Sequence, residues 1–120
     1  MSRDHRKLRV FHFADSLVID IYKATKDFPP EERYGLQSQL RRAAVSSASN
    51  IVEGSARRTG REYLQFLNLA AGSASELRYL VRLSHRLGFL TKRNEQEFDP
   101  RCAELIGGLI QLINSLSPEP

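Results

Sequence analysis

The sequence YGLQSQLRRAAVSSASNIVEGSARR, residues 34–58, indicates most clearly how this chain folds. On a helix that turns about 100° per residue, its small and apolar side chains fall on one face. The members of this face are Leu36, Leu40, Ala43, Ala44, Ser47, Asn50, Ile51 and Gly54. Such small side chains let a neighbouring backbone approach closely, and Ser47 and Asn50 must find hydrogen-bond partners inside the protein. We therefore predict that both residues belong to a structural polar core.

Two helical segments carry more apolar surface than one neighbour can cover. A weaker apolar strip lies beside the first face of residues 34–58, and a second strip accompanies the core stripe of the segment that follows. That core stripe is predicted at Tyr63, Phe66, Ala70, Ala74, Leu77, Val81 and Ser84. A second apolar strip that extends over four turns is too large to be left in water. We expect an interface with another subunit there, made of Val45, Val52, Leu69, Leu80, Leu83 and Leu87.

The whole chain predicts an all-α fold, because no segment shows the alternation of a strand. Amphipathic periodicity and the breaks at Phe28-Pro29-Pro30, Thr59-Gly60 and Gly88 predict helices at about 11–27, 32–58, 61–88 and 94–116, with Asn94 as an N-cap. Four such helices with short connections pack most simply as an antiparallel up-down-up-down four-helix bundle. Residues 1–10 are expected to form a flexible basic arm, and residues 117–120 a disordered tail.

Length and composition set the class of protein. The 120 residues fit one domain, and 41% apolar with 27% charged residues is the composition of a soluble helical protein. No apolar run is long enough to cross a membrane, and the charged amino terminus does not resemble a secretion signal, so a cytoplasmic location is expected. The single cysteine, Cys102, excludes an internal disulfide and is expected to be a small buried thiol.

Positive charge is concentrated in the middle of the chain. The formal net charge is +4, but residues 33–61 alone carry +5 and residues 62–93 carry +3. Clustered guanidinium groups are typical of surfaces that bind phosphate backbones. The predicted nucleic-acid-binding residues are Arg41, Arg42, Arg57, Arg58, Arg61, Arg78, Arg82 and Arg86. A solvated face without a ligand is the alternative. Because aromatic residues do not alternate regularly with these arginines, binding by shape and charge is expected rather than base stacking.

Signals for catalysis are weak. Arg78 and His85 lie seven positions apart on one helical face, and an arginine and a histidine at a similar spacing form the RNA-cleaving motif of an all-helical nuclease superfamily. Tyr79, however, stands where that motif usually has a polar residue. The other carboxylates and histidines show no spacing that suits acid-base chemistry or metal binding. We therefore expect no enzyme activity and no cofactor.

The central segment also resembles the signature of a known family. The matching positions are Tyr34-Gly35-Leu36, Gln39-Leu40-Arg41-Arg42-Ala43-Ala44, Ser46, Asn50-Ile51 and Glu53-Gly54, with further matches from Phe28-Pro29 to Leu87-Gly88. They resemble a bacterial four-helix-bundle family, the 23S rRNA intervening-sequence proteins. Ala48 departs from this pattern, because similar sequences carry a proline shortly before the asparagine. Since a proline would kink the helix, a straighter helix is expected here.

The resemblance implies a four-helix bundle that assembles as a ring-like homopentamer. Similar proteins include the accessory variability determinant of diversity-generating retroelements, which joins a reverse transcriptase to its template RNA. The favoured hypothesis is therefore a non-enzymatic oligomeric scaffold that binds structured RNA, alone or together with a protein such as a reverse transcriptase. Two alternatives stay open: a ribonuclease that uses Arg78 and His85, and an oligomeric adaptor that binds only protein.

Overall fold

The computed structural model describes residues 3–116, and within that range the chain is all-α, with four long helices and no strand. The helices are α1 (Arg9–Thr25), α2 (Leu36–Ser55), α3 (Gly60–Arg86) and α4 (Lys92–Leu116), with short 3-10 turns at His5–Lys7 and Pro30–Glu32. Each helix packs against the next, and α1 also packs against α4. The all-α fold predicted from the sequence is confirmed, and the arrangement is consistent with a four-helix bundle. The predicted tail at 117–120 lies outside the described residues.

The core lies between the four helices and is built mainly from their leucine and alanine side chains. Its fully buried members include Leu17, Ile21, Leu40, Ile51, Leu67, Leu77, Leu105 and Leu109. The small face of α2 allows the close approach expected from the sequence. A Cβ atom added at Gly54 would lie 2.8 Å from the Cβ atom of Phe66 and 3.2 Å from Cδ1 of Tyr63. The end of α2 and the start of α3 therefore pack closely at Gly54, where a side chain would have no room.

Helix ends differ from the predicted boundaries for local reasons. Pro30 starts a separate 3-10 turn, and the Glu32 carboxylate accepts a hydrogen bond from the Leu36 N–H at 3.0 Å, so α2 begins at Leu36 rather than at residue 32. The Thr91 hydroxyl accepts a hydrogen bond from the Asn94 N–H at 3.1 Å. Thr91, not Asn94, is therefore the N-cap of α4. Gly88, with φ of 85°, closes α3 as expected.

The segment predicted as a flexible arm is instead folded against the bundle from Arg3 onward. The Arg3 N–H donates a hydrogen bond to the Ser55 carbonyl at 2.7 Å, and the Arg3 guanidinium lies 4.2 Å from the centre of the Tyr63 ring. α1 already begins at Arg9, and Val10 is buried. Arg3 is therefore held at the joint between α2 and α3.

The second apolar strips divide into buried and exposed residues. Leu80 is only 3% exposed within one subunit, so the prediction that it belongs to a subunit interface is wrong. Val52 and Leu83 are half-buried, and Leu83 packs on the core. Helical periodicity identified the second apolar strip of α3, but it could not show that α4 covers part of this strip within the same subunit. The exposed members are Val45, Leu69 and Leu87.

Cys102 is fully buried in α4, as the sequence predicted. Burial raises the pKa of its thiol to about 12. A thiol that cannot ionise at neutral pH is a weak nucleophile. Cys102 therefore acts as an apolar core residue. Within residues 3–116, no helix is sufficiently long and apolar to cross a bilayer.

Candidate nucleic-acid interface

Two of the predicted RNA-binding arginines are engaged by one carboxylate. Nε of Arg78 lies 2.9 Å and Nε of Arg82 lies 2.7 Å from Oδ1 of Asp99, and both arginines also donate to Oδ2 at 3.2 Å. The two guanidinium groups hold the pKa of Asp99 down to about 2, and the carboxylate raises that of Arg78. The three groups form a clamp between α3 and α4. Arg82 is exposed and Arg78 is half-buried, but neither presents an uncompensated charge, because both share the Asp99 carboxylate.

Arg41 also has a structural position. Its Nε donates to the Thr25 hydroxyl at 2.9 Å, its Nη2 donates to the Tyr22 carbonyl at 3.2 Å, and its guanidinium stacks 4.4 Å from the centre of the Tyr22 ring. These contacts satisfy backbone and side-chain groups at the end of α1. Arg41 ties α1 to α2, so it is largely withdrawn from the proposed RNA contact.

Other predicted residues remain available to a ligand. No carboxylate of the described residues lies within salt-bridge distance of Arg42, Arg58, Arg61 or Arg86, and all four side chains are exposed. Arg57 is half-buried, with its Nε 3.2 Å from the Glu53 carbonyl and its guanidinium over the Phe66 ring. The free cations among the predicted set therefore stand mainly at the α2–α3 turn.

The fold brings the basic residues at the start of the chain close to those of the turn between α2 and α3. In addition to its contact with Ser55, Arg3 donates from Nη1 to the Arg57 carbonyl at 3.5 Å, and the 3-10 turn His5–Lys7 packs against α2. We call the resulting surface the basic pole; it consists of Arg3, Arg6, Lys7, Arg57, Arg58 and Arg61. The nearby carboxylates are Asp4, Glu53 and Glu62. The basic pole therefore carries an excess of positive charge that neither segment would have alone.

Charge at the basic pole is only partly compensated. Asp4 binds the Arg6 guanidinium at 2.9 Å, and this contact lowers the pKa of the Asp4 carboxyl to about 2. Glu62 lies in the first turn of α3, with its carboxylate 3.2 Å from the Thr59 hydroxyl. Since Glu62 serves the helix start, Arg58 and Arg61 keep their donors free for a phosphate.

A second surface was missed in the sequence. A groove of about 650 Å³ between α1 and α2 is lined by Tyr22, Arg33, Tyr34, Gln37, Ser38, Arg41, Arg42, Val45, Ser46 and Ser49. We call it the aromatic groove. Tyr22 and Tyr34 line the same groove as Arg41 and Arg42, although no aromatic residue stands between Arg41 and Arg61 in the sequence. Because Tyr22 is near the end of α1 and Tyr34 precedes α2, pairing the two helices could have revealed their proximity before the structure did.

Asn50 differs from its predicted role, because it is half-buried rather than enclosed in the core. Its Nδ2 donates to the Ser46 carbonyl at 2.8 Å and contacts the Ser46 hydroxyl at 3.0 Å. The Ser46 hydroxyl in turn lies 2.8 Å from that of Ser73 on α3. Ser47 is fully buried, and its hydroxyl donates to the Ala44 carbonyl at 2.7 Å. The hydrogen bonds among Asn50, Ser46 and Ser73 therefore lie at the edge of the contact between α2 and α3, whereas Ser47 is buried in the core.

The possible catalytic pair has structural contacts. Nδ1 of His85 lies 3.1 Å from the Leu90 carbonyl, across the turn between α3 and α4, while Arg78 is held by Asp99. Neither side chain is therefore free to act on a phosphate without losing a contact of the fold. Among residues 3–116, no group of three or more His, Cys, Asp and Glu side chains could hold a metal ion.

The described helices and the arginines at one end of them define a helical-bundle protein with a basic end. The chain belongs to the family described as 23S rRNA-intervening sequence protein, whose model matches residues 6–111. The resemblance inferred from the sequence is confirmed.

Comparison with solved structures finds a protein of the same fold. The structure is similar to the crystal structure of a protein of unknown function from the S23 ribosomal protein family of Bacteroides thetaiotaomicron. The two chains are 21% identical and superpose with a TM-score of 0.78, over 87% of this chain and 97% of the other. At this identity the comparison shows a shared fold. No protein with a curated description matches the sequence.

Proposed function

We propose that this protein is a non-enzymatic scaffold that binds structured RNA through its basic pole. The observation that carries the proposal is the attachment of Arg3 to the end of α2, which adds the charges of the first residues to those of Arg57, Arg58 and Arg61. A polyanion that contacts this surface would release counterions from several phosphates at once. The description of the family, which refers to an intervening sequence of ribosomal RNA, supports RNA as the polyanion.

A homo-oligomer would strengthen this binding. Leu69 and Leu87 are each 56% exposed, and Tyr79 on the same helix is equally exposed, so α3 offers apolar surface for a second subunit. We propose an up-down-up-down bundle that assembles further, with a pentamer as the expected size, and an additional protein partner such as a reverse transcriptase. Several basic poles in one assembly would bind one RNA with an avidity that a single subunit lacks.

Charge reversal at the basic pole provides the test. Arg58→Glu combined with Arg61→Glu changes two exposed side chains without ion-pair partners, so the fold should be kept. The matched control is Lys92→Glu with Arg93→Glu, which reverses two exposed charges at the other end of α3. At 27 residues, that helix separates the two sites by about 40 Å.

The measurement is the affinity for a labelled RNA hairpin over a series of salt concentrations. We expect the Arg58/Arg61 variant to lose at least about tenfold in affinity and to show a shallower salt dependence, because fewer counterions are released. The Lys92/Arg93 variant should change affinity by less than about threefold. Equal losses in both variants would show only a general charge effect and overturn the assignment of the pole. The labelled hairpin should also stay intact, and cleavage that His85→Ala abolishes would contradict the non-enzymatic role.

A further inference from the structure

The aromatic groove differs from the basic pole in its chemistry. It combines two tyrosine side chains with two exposed arginines, Arg33 and Arg42, and no carboxylate lines it. No described carboxylate forms an ion pair with either arginine. A ligand that fits must therefore be flat and negatively charged. We propose that the aromatic groove binds an unpaired nucleotide of the RNA, an inference that rests on the proposed function.

Tyr34 offers the stacking surface. Its side chain is 89% exposed, the highest value among the large apolar and aromatic residues left on the surface. Tyr22 is less accessible, since the Arg41 guanidinium already covers its ring at 4.4 Å. Arg41 is fixed there by its hydrogen bond to Thr25. A base can therefore stack on Tyr34, while Tyr22 and Arg41 form a rigid wall of the groove.

Arginines beside Tyr34 are suited to the phosphate of the same nucleotide. Arg33 precedes Tyr34 directly, and Arg42 lines both the aromatic groove and an adjoining depression that Tyr34 also borders. A guanidinium can donate two parallel hydrogen bonds to a phosphate. Unlike Arg78 and Arg82, neither arginine forms an ion pair with a carboxylate of residues 3–116, although Glu76 lines the adjoining depression.

Polar groups in the groove can contact the edge of a base. Gln37 donates from Nε2 to the Thr25 carbonyl at 2.8 Å, which fixes its amide and leaves Oε1 as an acceptor. The Ser38 hydroxyl makes no hydrogen bond to any of the residues described. One fixed acceptor and one free hydroxyl give modest selectivity among bases, so stacking and charge supply most of the affinity.

The position of the groove defines the kind of RNA. Tyr34 precedes the start of α2 and the basic pole lies at its end, and the 20 residues of this helix separate them by about 30 Å. An RNA that occupies both surfaces therefore needs a folded part against the pole and an unpaired strand that reaches the groove. The proposed ligand is a stem with a single-stranded extension or loop.

A second copy of the chain is a less suitable occupant. Val45 is the one aliphatic side chain lining the groove, and it is 40% exposed, whereas three arginines line the same surface. A subunit seated there would have to bury these charges against complementary carboxylates. Nucleic acid meets the same charges without that requirement.

Substitution of Tyr34 tests the inference. We compare Tyr34→Ala with Tyr34→Phe, which keeps the stacking surface, and with Ile19→Ala, which removes an exposed apolar side chain of α1 outside the groove. The probes are a short single-stranded oligoadenylate, a blunt hairpin and the same hairpin with a single-stranded extension. Oligomeric mass is measured for each variant by light scattering.

We expect Tyr34→Ala to weaken oligoadenylate binding by about tenfold and to remove the advantage of the extended hairpin over the blunt one. Tyr34→Phe and Ile19→Ala should bind these probes like the parent protein, and Arg42→Gln should weaken binding of the probes severalfold. Oligoadenylate binding that Tyr34→Ala leaves unchanged, or an oligomeric mass that this variant lowers, would overturn the inference. Failure of the proposed function is distinct: the blunt hairpin would then be indifferent to Arg58→Glu with Arg61→Glu, whereas the oligoadenylate result depends on Tyr34.

Discussion

The two ends of helix α3 use the same residue type for opposite purposes. At its start, Arg58 and Arg61 stand beside a tightly packed joint and have no described carboxylate partner. In its second half, Arg78 and Arg82 converge on Asp99 of α4 and hold two helices together. The comparison teaches that the count of arginines along a helix does not measure the charge it presents. The charge that a helix presents depends on whether a neighbouring helix supplies a carboxylate to its arginines.

The largest effect is expected from enlarging Gly54, which packs against the start of α3. Gly54→Val places branched carbon atoms where a Cβ alone would lie 2.8 Å from Phe66, so we expect a loss of about 2–3 kcal/mol in the free energy of unfolding. Urea denaturation measures this loss. Gly72→Ala is the control, because no atom lies within 4 Å of the added Cβ, and it should stabilise the protein by about 0.5–1 kcal/mol. A tolerated valine would show that the joint is looser than described.

Removing the Asp99 carboxylate should leave the arginines in the second half of α3 as free to bind a ligand as those at its start. Asp99→Asn leaves Arg78 and Arg82 without their shared counter-charge, and we expect a loss of about 1–2 kcal/mol in the free energy of unfolding. RNA affinity should rise severalfold, because two guanidinium groups become available. Glu97→Gln is the matched control, since its partner Arg101 is one turn away on the same helix. Equal effects from both substitutions would contradict the role of the clamp.

The pH dependence of stability separates the clamp from the rest of the molecule. The pKa of Asp99 is about 2 in the folded protein, below its ordinary value of 3.8, so the carboxylate stabilises the fold above pH 4. This contribution is lost as the pH falls from about 4 to about 2. Thermal unfolding of the parent protein should therefore change more steeply across this range than that of Asp99→Asn. Parallel curves would mean that other carboxylates, such as Asp4, account for the acid sensitivity.

The smallest effect is expected at the starts of α3 and α4, which are capped alike. Thr59 caps the start of α3 through a 3.1 Å hydrogen bond from the Glu62 N–H, and Thr91 caps α4 in the same way. Thr59→Ala and Thr91→Ala should each lower the free energy of unfolding by about 1 kcal/mol, measured by urea denaturation. Replacement by serine should restore most of the loss. A much larger effect at Thr59 would indicate that the basic pole depends on the cap.

The sequence predicted the helices well because their apolar periodicity is a local property. Helix α2 shows this: Leu40, Ala44 and Ile51 are fully buried, as their common face requires. Contacts between distant segments were harder to predict. The docking of Arg3 depends on the position of the Ser55 carbonyl 52 residues later, and no periodicity contains that information.

The candidate site was predicted only in part, because some of its contacts join residues that are far apart in the sequence. Arg58 and Arg61 lie in one turn, so their proximity is evident from the sequence, whereas the pairing of Arg78 with Asp99 joins residues 21 positions apart. Arg41 shows a further difficulty, because its target is the Tyr22 carbonyl, a backbone group that every residue carries. The aromatic groove required Tyr22 and Tyr34 to be placed side by side, which only the packing of α1 on α2 does.

The buried thiol of Cys102 gives the protein a built-in probe of local opening. As long as α4 is packed, the thiol stays protonated and shielded, whereas in the unfolded chain it regains its ordinary acidity. Alkylation of the native cysteine would therefore report how often the bundle opens, without any introduced label. Conversely, a cysteine engineered at an exposed position could be coupled to a dye while Cys102 is left in place.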